Sequence, residues 1–160
     1  MTYEEARAIF NYREGRLYWR VQPYGSAQKG APAGCVNNRG YVTIGWRRRR
    51  YSAHRLVFLW HYGWLPAEVD HINNDHSDNR VENLRPATRS ENQRNIGILS
   101  SNKSGVKGVC WHKSSRKWRA DCRVNGTLNY LGLFSTIEAA AKAVQQFRAQ
   151  HHGEFANHGG

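Results

Sequence analysis

One segment, residues 68–95, restricts the possible folds of this chain more than any other. It reads EVDHINNDHSDNRVENLRPATRSENQRN. Its Asp70-His71 pair is flanked by apolar residues, as in a strand that is buried on at least one face. The residues that follow are Asn, Asp, His and Ser, which favour a turn-rich loop. The first half of the segment is therefore predicted to be a strand and a long polar loop.

The second half of this segment predicts another strand and a helix. Val81–Arg85 alternates between apolar and polar residues, and Pro86 is predicted to end that strand. Either Thr88 or Ser90 can cap a helix, and the chain from Glu91 onward is polar and helical in tendency. The predicted order is strand, loop, strand, helix.

The polar side chains of this segment suit a divalent cation. The carboxylate of Asp70 and the amide oxygen of Asn92 are hard ligands of the kind that Mg²⁺ and Mn²⁺ prefer. Asp70 and His71 are adjacent, so on a regular strand their side chains point to opposite faces. A bend or bulge at this pair is required if both are to act on one phosphate.

The segment resembles the HNH endonuclease motif, in the variant where Asn replaces the last His. The resemblance implies a ββα-metal fold with the metal held between a β-hairpin and a helix. It implies that Asp70 is a metal ligand and that His71 is the general base. It also implies that Asn83 holds the backbone and ring of His71 across the hairpin. Asn92 would be the second metal ligand, with Asn95 on the same helical face as the alternative.

The chain before this segment is also organised like the same family. His54–Tyr62 has apolar residues at helical spacing and ends at Gly63, which predicts the core helix of the domain. An Ala-His-Arg run opens this helix, as it does in the family. His54 is expected to start the helix or to pack, and Arg55 is expected to reach a DNA phosphate.

A cluster of four arginines, Arg47–Arg50, lies between two predicted strands. Gly40–Trp46 and Arg49–Ala53 are predicted to pair as a hairpin, which places the cluster at or beside its tip. The arginines could form a charged edge that discourages strand pairing, or a tip that contacts phosphates. The sequence favours neither role.

The second half of the chain predicts three strands and a helix. The strands are Gly105–Trp111, Trp118–Val124 and Leu128–Phe134, and Asn125-Gly126 is a strong signal for a hairpin turn. A helix capped by Ser135 or Thr136 should then run from residue 137 to about residue 151, with an apolar face of Ala139, Ala140, Ala143, Val144 and Phe147.

This half resembles the AP2-type DNA-binding domain through its Gly-Val, Trp-Arg-Ala and Tyr-Leu-Gly-Leu-Phe runs. The resemblance implies that the sheet binds in the major groove of DNA. Several arginine positions of the plant domains differ here, so their base specificity does not transfer. Trp118 and Tyr130 could alternatively pack under the helix. The candidate DNA contacts are Lys107, Trp111, Lys113, Trp118, Arg119, Arg123 and Tyr130.

The predicted fold class is α+β, with a ββα-metal nuclease domain followed by a three-stranded antiparallel sheet and a helix. The nuclease domain is predicted at residues 1–96, with an N-terminal β region at 1–53 and the ββα-metal core at 54–96. A linker at 97–104 and the AP2-like domain at 105–157 follow.

Charge and cysteine content restrict the function. The net charge is +12, and residues 1–99 and 100–160 each contribute +6, which fits two contacts with one polyanion. Three cysteines without close pairs argue against a disulfide framework or a cysteine zinc site, and Cys110 and Cys122 are expected to be small buried residues. Neither a run of membrane-spanning length nor a signal peptide is found, so we expect a cytoplasmic protein.

The leading hypothesis is an enzyme, a Mg²⁺- or Mn²⁺-dependent DNA endonuclease that hydrolyses phosphodiester bonds and is targeted by the AP2-like module. Double-stranded DNA is the expected partner of a monomer, without a membrane or small-molecule substrate. Such proteins are often encoded by phages and mobile elements as homing endonucleases. The alternative is a DNA-binding transcriptional regulator with an inactive HNH scaffold, which would not need Asp70, His71, Asn83 and Asn92 together. RNA cleavage is a third possibility.

Overall fold

The computed structural model describes residues 1–158 of the chain, apart from the side chain of residue 154. The chain divides into two compact units, Met1–Thr88 and Arg89–Gly160. This boundary lies before residue 96, where the sequence predicted the end of the nuclease domain. The helix that carries Asn92 therefore groups with the second unit by its contacts. The functional limits of the domains stay a prediction.

The first unit contains two helices and seven strands. They are α1 Tyr3–Ile9, β1 Phe10–Arg13, β2 Arg16–Trp19, β3 Cys35–Val36, β4 Val42–Trp46, β5 Arg49–Ser52, α2 Ala53–Tyr62, β6 Glu68–His71 and β7 Leu84–Ala87. The strands form a β1–β2 hairpin, a three-stranded sheet in the order β3-β4-β5, and a β6–β7 hairpin, all antiparallel.

The core of the first unit forms around α2. The helix buries most of its length because its apolar residues recur at helical spacing, and it ends at Gly63, which adopts the left-handed conformation. Phe58 is 2% exposed and Val57 is fully buried. Their neighbours in the core include Phe10, Leu17, Trp19, Ile44, Val69 and Leu84. The β6–β7 hairpin is thus anchored to α2 through Val69 and Leu84.

The strands of the first unit differ in part from those expected. Residues 11–13 belong to β1, and the β1–β2 turn occupies only Glu14-Gly15. The short strand β3 was not predicted. Val81–Asn83 forms a 3₁₀ turn, so β7 starts at Leu84 and includes Pro86. Proline is tolerated there because β7 pairs only with β6 and has a free edge.

The second unit contains the predicted sheet and helix. Its elements are α3 Arg89–Asn95, β8 Val109–His112, β9 Lys117–Val124, β10 Thr127–Phe134 and α4 Ile137–His152, followed by a 3₁₀ turn at Gly153–Phe155. The strands are antiparallel in the order β10-β9-β8. The first strand starts at Val109, later than the predicted Gly105. The three-stranded antiparallel sheet and its following helix are confirmed, and a specific AP2 identity stays a prediction.

The helix α4 packs on one face of this sheet. Thr136 caps it by accepting a hydrogen bond from the backbone N–H of Ala139. Its buried residues are Ala140, Val144, Arg148 and His152, so the inner face becomes polar toward the C-terminal end. Of the predicted apolar face, Ala139 is exposed and Ala143 and Phe147 are half-buried. The polar residues Arg148 and His152 are enclosed on the inner face of α4. That face is therefore rotated around the helix axis relative to the predicted apolar face.

The cysteines are free thiols in the described residues. Cys35 and Cys110 are exposed and Cys122 is buried. The prediction that Cys110 is buried was wrong, because strand alternation places it on the sheet face away from Val109. No helix in the part of the chain that the structure describes combines the length and the apolar character needed to cross a bilayer.

Candidate active site and nucleic-acid surface

The β6–β7 hairpin positions Asp70 and His71. Asp70 pairs with Arg85 and His71 pairs with Leu84, in a register that advances one residue at a time from Glu68 to His71. The strand is therefore regular at this pair, and the bend or bulge expected from the sequence is not present there. Asp70 and His71 consequently point to opposite faces of the hairpin.

The carboxylate of Asp70 is held by a buried ion pair with Arg85. Nε and Nη2 of Arg85 each lie 2.8 Å from Oδ2 of Asp70, and the two side chains are 10% and 5% exposed. A guanidinium fork fixes the carboxylate in one orientation. This pair was not predicted from the sequence. Opposite charges at facing strand positions could have indicated it, had the register across the intervening loop been known.

The ring of His71 is held by Asn79. Nε2 of His71 lies 3.0 Å from Oδ1 of Asn79, and both side chains are buried. An amide oxygen can only accept, so Nε2 carries the proton and Nδ1 carries the lone pair. The predicted contact between Asn83 and this ring was wrong. The loop folds back far enough to bring Asn79, which precedes β7, against the imidazole.

Asn83 instead organises the loop that carries Asn79. Its Nδ2 donates to Oδ1 of Asn73 at 2.9 Å and to the carbonyl of Asp78 at 2.8 Å. Its Oδ1 accepts from the backbone N–H of Asn73, and its carbonyl accepts from the N–H of Ile72 at 2.9 Å. Asn83 thus holds both ends of the loop. It contacts Ile72, which directly follows His71, at the start and Asp78 near the end.

Three rings surround the His71 imidazole and form with it what we call the ring cluster, which consists of Tyr41, His54, His71 and His76. The rings of His54 and His71 meet edge to face with centroids 4.9 Å apart, and Tyr41 lies 5.5 Å from His54. His76 stacks on Tyr41 at 4.0 Å. The rings that pack against the imidazole come from α2, from the residue before β4 and from the loop after β6, and they limit its rotation.

Burial keeps the two inner histidines neutral. Burial lowers the pKa of His71 below its usual value, although the hydrogen bond that His71 donates to Asn79 acts in the opposite direction. Burial, with a smaller contribution from His71, lowers the pKa of His54 to about 3. A neutral His71 at pH 7 is the form that can accept a proton. His54 serves as a packing residue, one of the two roles expected from the sequence.

The two candidate metal ligands on α3 lie in different environments. Asn92 is half-buried, whereas Asn95 is 5% exposed. Nδ2 of Asn157 donates to the carbonyl of Asn95 at 2.7 Å and lies 3.4 Å from its Oδ1. Asn95 is therefore engaged inside the second unit, which favours Asn92 as the residue available to a ligand.

Two predicted DNA contacts have structural partners. Nη1 and Nη2 of Arg55 donate to the carbonyls of Ala67 and Pro66, at 3.0 and 3.2 Å, and so hold the segment that leads into β6. Nζ of Lys107 donates to carbonyls of Arg94, Ile96 and Asn157. Burial, together with Arg148, lowers the pKa of Lys107 to about 8. Neither cation is presented to a DNA phosphate by these contacts.

The remaining candidates divide between the two faces of the second sheet. Trp118 packs against the core under α4, and its strand partner Trp111 meets it edge to face at 5.1 Å. Strand alternation places Arg119, Arg123 and Tyr130 on the opposite face. Tyr130 is 58% exposed, so its alternative role under the helix was wrong. Lys113 is exposed in the β8–β9 turn.

The outer sheet face is only partly free to bind. Nε and Nη2 of Arg119 pair with the carboxylate of Asp121, at 2.8 and 3.1 Å, and its guanidinium lies 5.4 Å from the centre of the Tyr130 ring. Arg123 donates to the carbonyl of Gly126 in the adjacent turn. Arg119 and Tyr130 thus form a prearranged aromatic and cationic pair on an open surface.

Comparison with known proteins identifies the family. Residues 51–94 match the family described as HNH endonuclease. The chain is 32% identical over 88 residues to Protein 3.8 of Escherichia phage T7, a match that covers 55% of this chain and 72% of the relative. It is 33% identical over 110 residues to an uncharacterized HNH endonuclease of Acanthamoeba polyphaga mimivirus, a match that covers 67% of this chain and 56% of that relative. No solved structure matches the chain.

The chain therefore belongs to the HNH endonuclease family and is a nuclease enzyme. The family match contains Asp70, His71, Asn79, Asn83 and Asn92 and ends before Asn95. The resemblance on which the sequence analysis relied is thus confirmed for the nuclease domain.

Proposed function

We propose that the enzyme is a divalent-metal-dependent DNA endonuclease in which His71 activates the attacking water. The observation that carries this proposal is the buried imidazole of His71, held by Asn79 and next in the chain to the ion-paired Asp70 within the family match. A base that is oriented and able to accept a proton is what general-base hydrolysis of a phosphodiester requires.

The donor set fits a hard divalent cation. Asp70 and Asn92 would supply one carboxylate and one amide oxygen, which suits Mg²⁺ because that ion keeps several waters and binds few protein groups. Within residues 1–158 the structure contains no group of three His, Cys, Asp or Glu side chains that could hold a metal, which argues against a zinc-type cage. The bound ion would stabilise negative charge on the phosphate and on the leaving 3′ oxygen.

The protein side chains account for the proton transfer. Nδ1 of His71 takes a proton from the water that attacks phosphorus, and the bond from phosphorus to the 3′ oxygen breaks. The imidazolium that forms keeps its Nε2–H bond to Asn79, which strengthens as the ring becomes charged. Arg85 keeps the Asp70 carboxylate in place throughout. The 3′ oxygen leaves as an alkoxide that takes a proton from solvent, and the His71 imidazolium returns its proton to solvent. The products are therefore a 5′ phosphate and a 3′ hydroxyl.

We further propose that the second unit is an AP2-like module that places the enzyme on DNA through its outer sheet face. Arg119, Arg123 and Tyr130 lie on the face away from α4, and an open sheet is one of the elements that can enter the major groove. Arg119 would exchange its pairing with Asp121 for a phosphate or base edge. The basic charge of both halves of the chain supports binding to DNA.

The test is plasmid cleavage with Mg²⁺ or Mn²⁺, with a chelator as the negative control. His71→Ala should lower the cleavage rate by about 10²–10⁴-fold, the usual effect of losing a general base. His61→Ala is the matched control, since it removes an imidazole of the same unit outside the ring cluster. Wild-type cleavage by His71→Ala, or cleavage that persists in the chelator, would refute the proposed mechanism.

A further inference from the structure

The turn between β4 and β5 has a backbone conformation that its residues do not favour. Trp46 pairs with Arg49, so the turn consists of Arg47 and Arg48. Their φ angles are +46° and +62°, in the left-handed region that two-residue hairpins require at both central positions. Glycine, asparagine and aspartate accept this region readily, and arginine does not.

The same chain shows the less strained alternative in two other hairpins. The β1–β2 turn is Glu14-Gly15, with φ angles of +45° and +82°, and the β9–β10 turn is Asn125-Gly126, with +50° and +81°. Both have glycine as their second residue. In the arginine turn both central residues carry long side chains, so local folding preference does not explain its sequence. Strain of this kind often accompanies a functional requirement for the side chain.

Edge protection explains only part of the cluster. Arg49 and Arg50 lie on β5, which is an edge strand of its sheet, so their charges can prevent pairing with another strand. Arg47 and Arg48 lie beyond the last strand pair and protect no edge. From the sequence alone, the cluster could equally protect an edge or contact phosphates. In the structure Arg49 and Arg50 can protect the edge, whereas Arg47 and Arg48 cannot.

The surface around the turn has the chemistry of a nucleic-acid contact. Both turn arginines are exposed, and they line a shallow concavity together with Trp46 and Tyr24. Tyr24 is 88% exposed, and the guanidinium of Arg47 lies 5.7 Å from the centre of the Trp46 ring. Guanidinium groups bind phosphates, and exposed aromatic rings beside them can contact sugars or bases.

We propose that the arginine turn, residues 47–48, is a DNA-binding element of the first unit that contacts backbone phosphates of the duplex. It precedes residues 51–94, which match the nuclease family. It therefore adds a contact outside the matched domain and outside the sheet of the second unit. The inference rests on the proposed function, since DNA is the polyanion that this enzyme would bind. The strained backbone is retained because the guanidinium groups are required at the tip.

The test replaces the turn with the residues of the β9–β10 turn, as Arg47→Asn with Arg48→Gly in the full chain. Thermal unfolding should shift upward by a few degrees, because the new residues favour the conformation. Affinity for a duplex oligonucleotide, measured in a chelator to prevent cleavage, should fall by about tenfold or more. The slope of log affinity against log salt should fall by about 0.9 for each lost phosphate contact.

The matched control is Arg13→Gln with Arg16→Gln, which removes two exposed arginines beside another hairpin of the same unit. It lowers net charge equally and leaves its turn unchanged. A second variant, Arg47→Lys with Arg48→Lys, should keep the salt slope and the wild-type stability. Unchanged DNA affinity in the Asn-Gly variant, or a loss no greater than in the control, would overturn the proposal. A lower unfolding temperature would overturn it as well, because the arginines would then be favourable in the turn.

Plasmid cleavage at saturating protein separates this inference from the proposed nuclease function. If wild-type protein cleaves and the Asn-Gly variant binds DNA normally, only the role of the turn is wrong. If wild-type protein does not cleave with either metal, the proposed function fails, and the binding comparison still decides whether the turn contacts DNA. If the turn variant loses binding to duplex RNA but not to duplex DNA, the proposed DNA contact is wrong.

Discussion

The chemistry of His71 depends on what surrounds its two ring nitrogens. Asn79 fixes the proton on Nε2, and burial against His54 and Tyr41 keeps the ring neutral and oriented. His54 is itself neutral, so it packs against the proposed base without adding a positive charge that would oppose proton uptake. In the proposed mechanism Asn79 would be a positioning residue, because it would act through His71.

Removal of the Asn79 amide should misplace the base. Asn79→Ala is expected to lower kcat by up to about 10²-fold, since loss of orientation in a reacting group has effects of this size. DNA affinity should change little, and Asn11→Ala, an exposed asparagine of β1, should behave as wild type. Single-turnover cleavage at saturating protein measures this directly. A normal rate for Asn79→Ala together with a strongly reduced rate for Asn83→Ala would restore the role that the sequence gave to Asn83.

His54 should make the stability of the first unit depend on pH. Its pKa is about 3 in the folded protein and near 6.5 when unfolded, so the unfolded chain binds the proton first as pH falls. The stabilising contribution is complete above pH 6.5 and is lost progressively toward pH 3. Between pH 7 and pH 5 the loss should be about 2 kcal/mol.

Urea unfolding of wild type and His54→Phe at both pH values tests this prediction. Phenylalanine retains a ring in the cluster and does not titrate, so the variant should lose about 2 kcal/mol less stability than wild type on acidification. The difference between the two proteins cancels the effects of the other histidines. Equal losses would show that His54 can be protonated in the folded state.

At the scale of elements, locally encoded features were predictable from the sequence and non-local ones were not. Asn125-Gly126 specified a hairpin turn because its residues accept positive φ, and Gly63 ended α2 for the same reason. The polar inner face of α4 was not predictable, because Arg148 bonds the carbonyl of Lys107, which is 41 residues away. Its enclosure depends on how the helix packs against the sheet.

The candidate site shows the same division. Asp70 and His71 could be found from their motif, because the family pattern is short and continuous. The partners Arg85 and Asn79 could not, since both depend on the path of the loop from residue 72 to residue 80 and on the resulting register. A loop held by side-chain hydrogen bonds of Asn73 and Asn83 has no periodic signal in the sequence.

The two asparagines of α3, Asn92 and Asn95, should differ in function. Asn92→Ala is expected to raise the Mg²⁺ concentration needed for cleavage without lowering stability, because its side chain is only half-buried. Asn95→Ala is expected to destabilise the second unit by about 1–3 kcal/mol, the cost of disturbing buried hydrogen bonds. Metal titrations of cleavage and urea unfolding of both variants give the comparison. A raised metal requirement in Asn95→Ala at unchanged stability would identify Asn95 as the ligand.

At the scale of the whole molecule, the boundary between the two compact units lies before α3, whereas the predicted end of the nuclease domain lies after it. The helix carries Asn92, a proposed metal ligand, yet it is held within the second unit by Lys107 and Asn157. One of the two proposed metal ligands therefore belongs, by its contacts, to the second unit. A nuclease domain that ends at residue 96 would keep the α3 sequence and lose these contacts.

A fragment of residues 1–100 should therefore cleave DNA more slowly than the full chain, and its weaker DNA binding should account for only part of the difference. At saturating DNA its rate should stay below that of the full chain, and its Mg²⁺ requirement should be higher, because α3 is no longer fixed. Full-length Lys107→Met is the matched variant, since it removes three hydrogen bonds to carbonyls near α3 and the C-terminal segment but keeps the sheet. It should raise the metal requirement while Arg119 and Tyr130 still support DNA binding. If the fragment cleaves as fast as the full chain at saturation, α3 does not need the second unit, and residue 96 is the functional boundary.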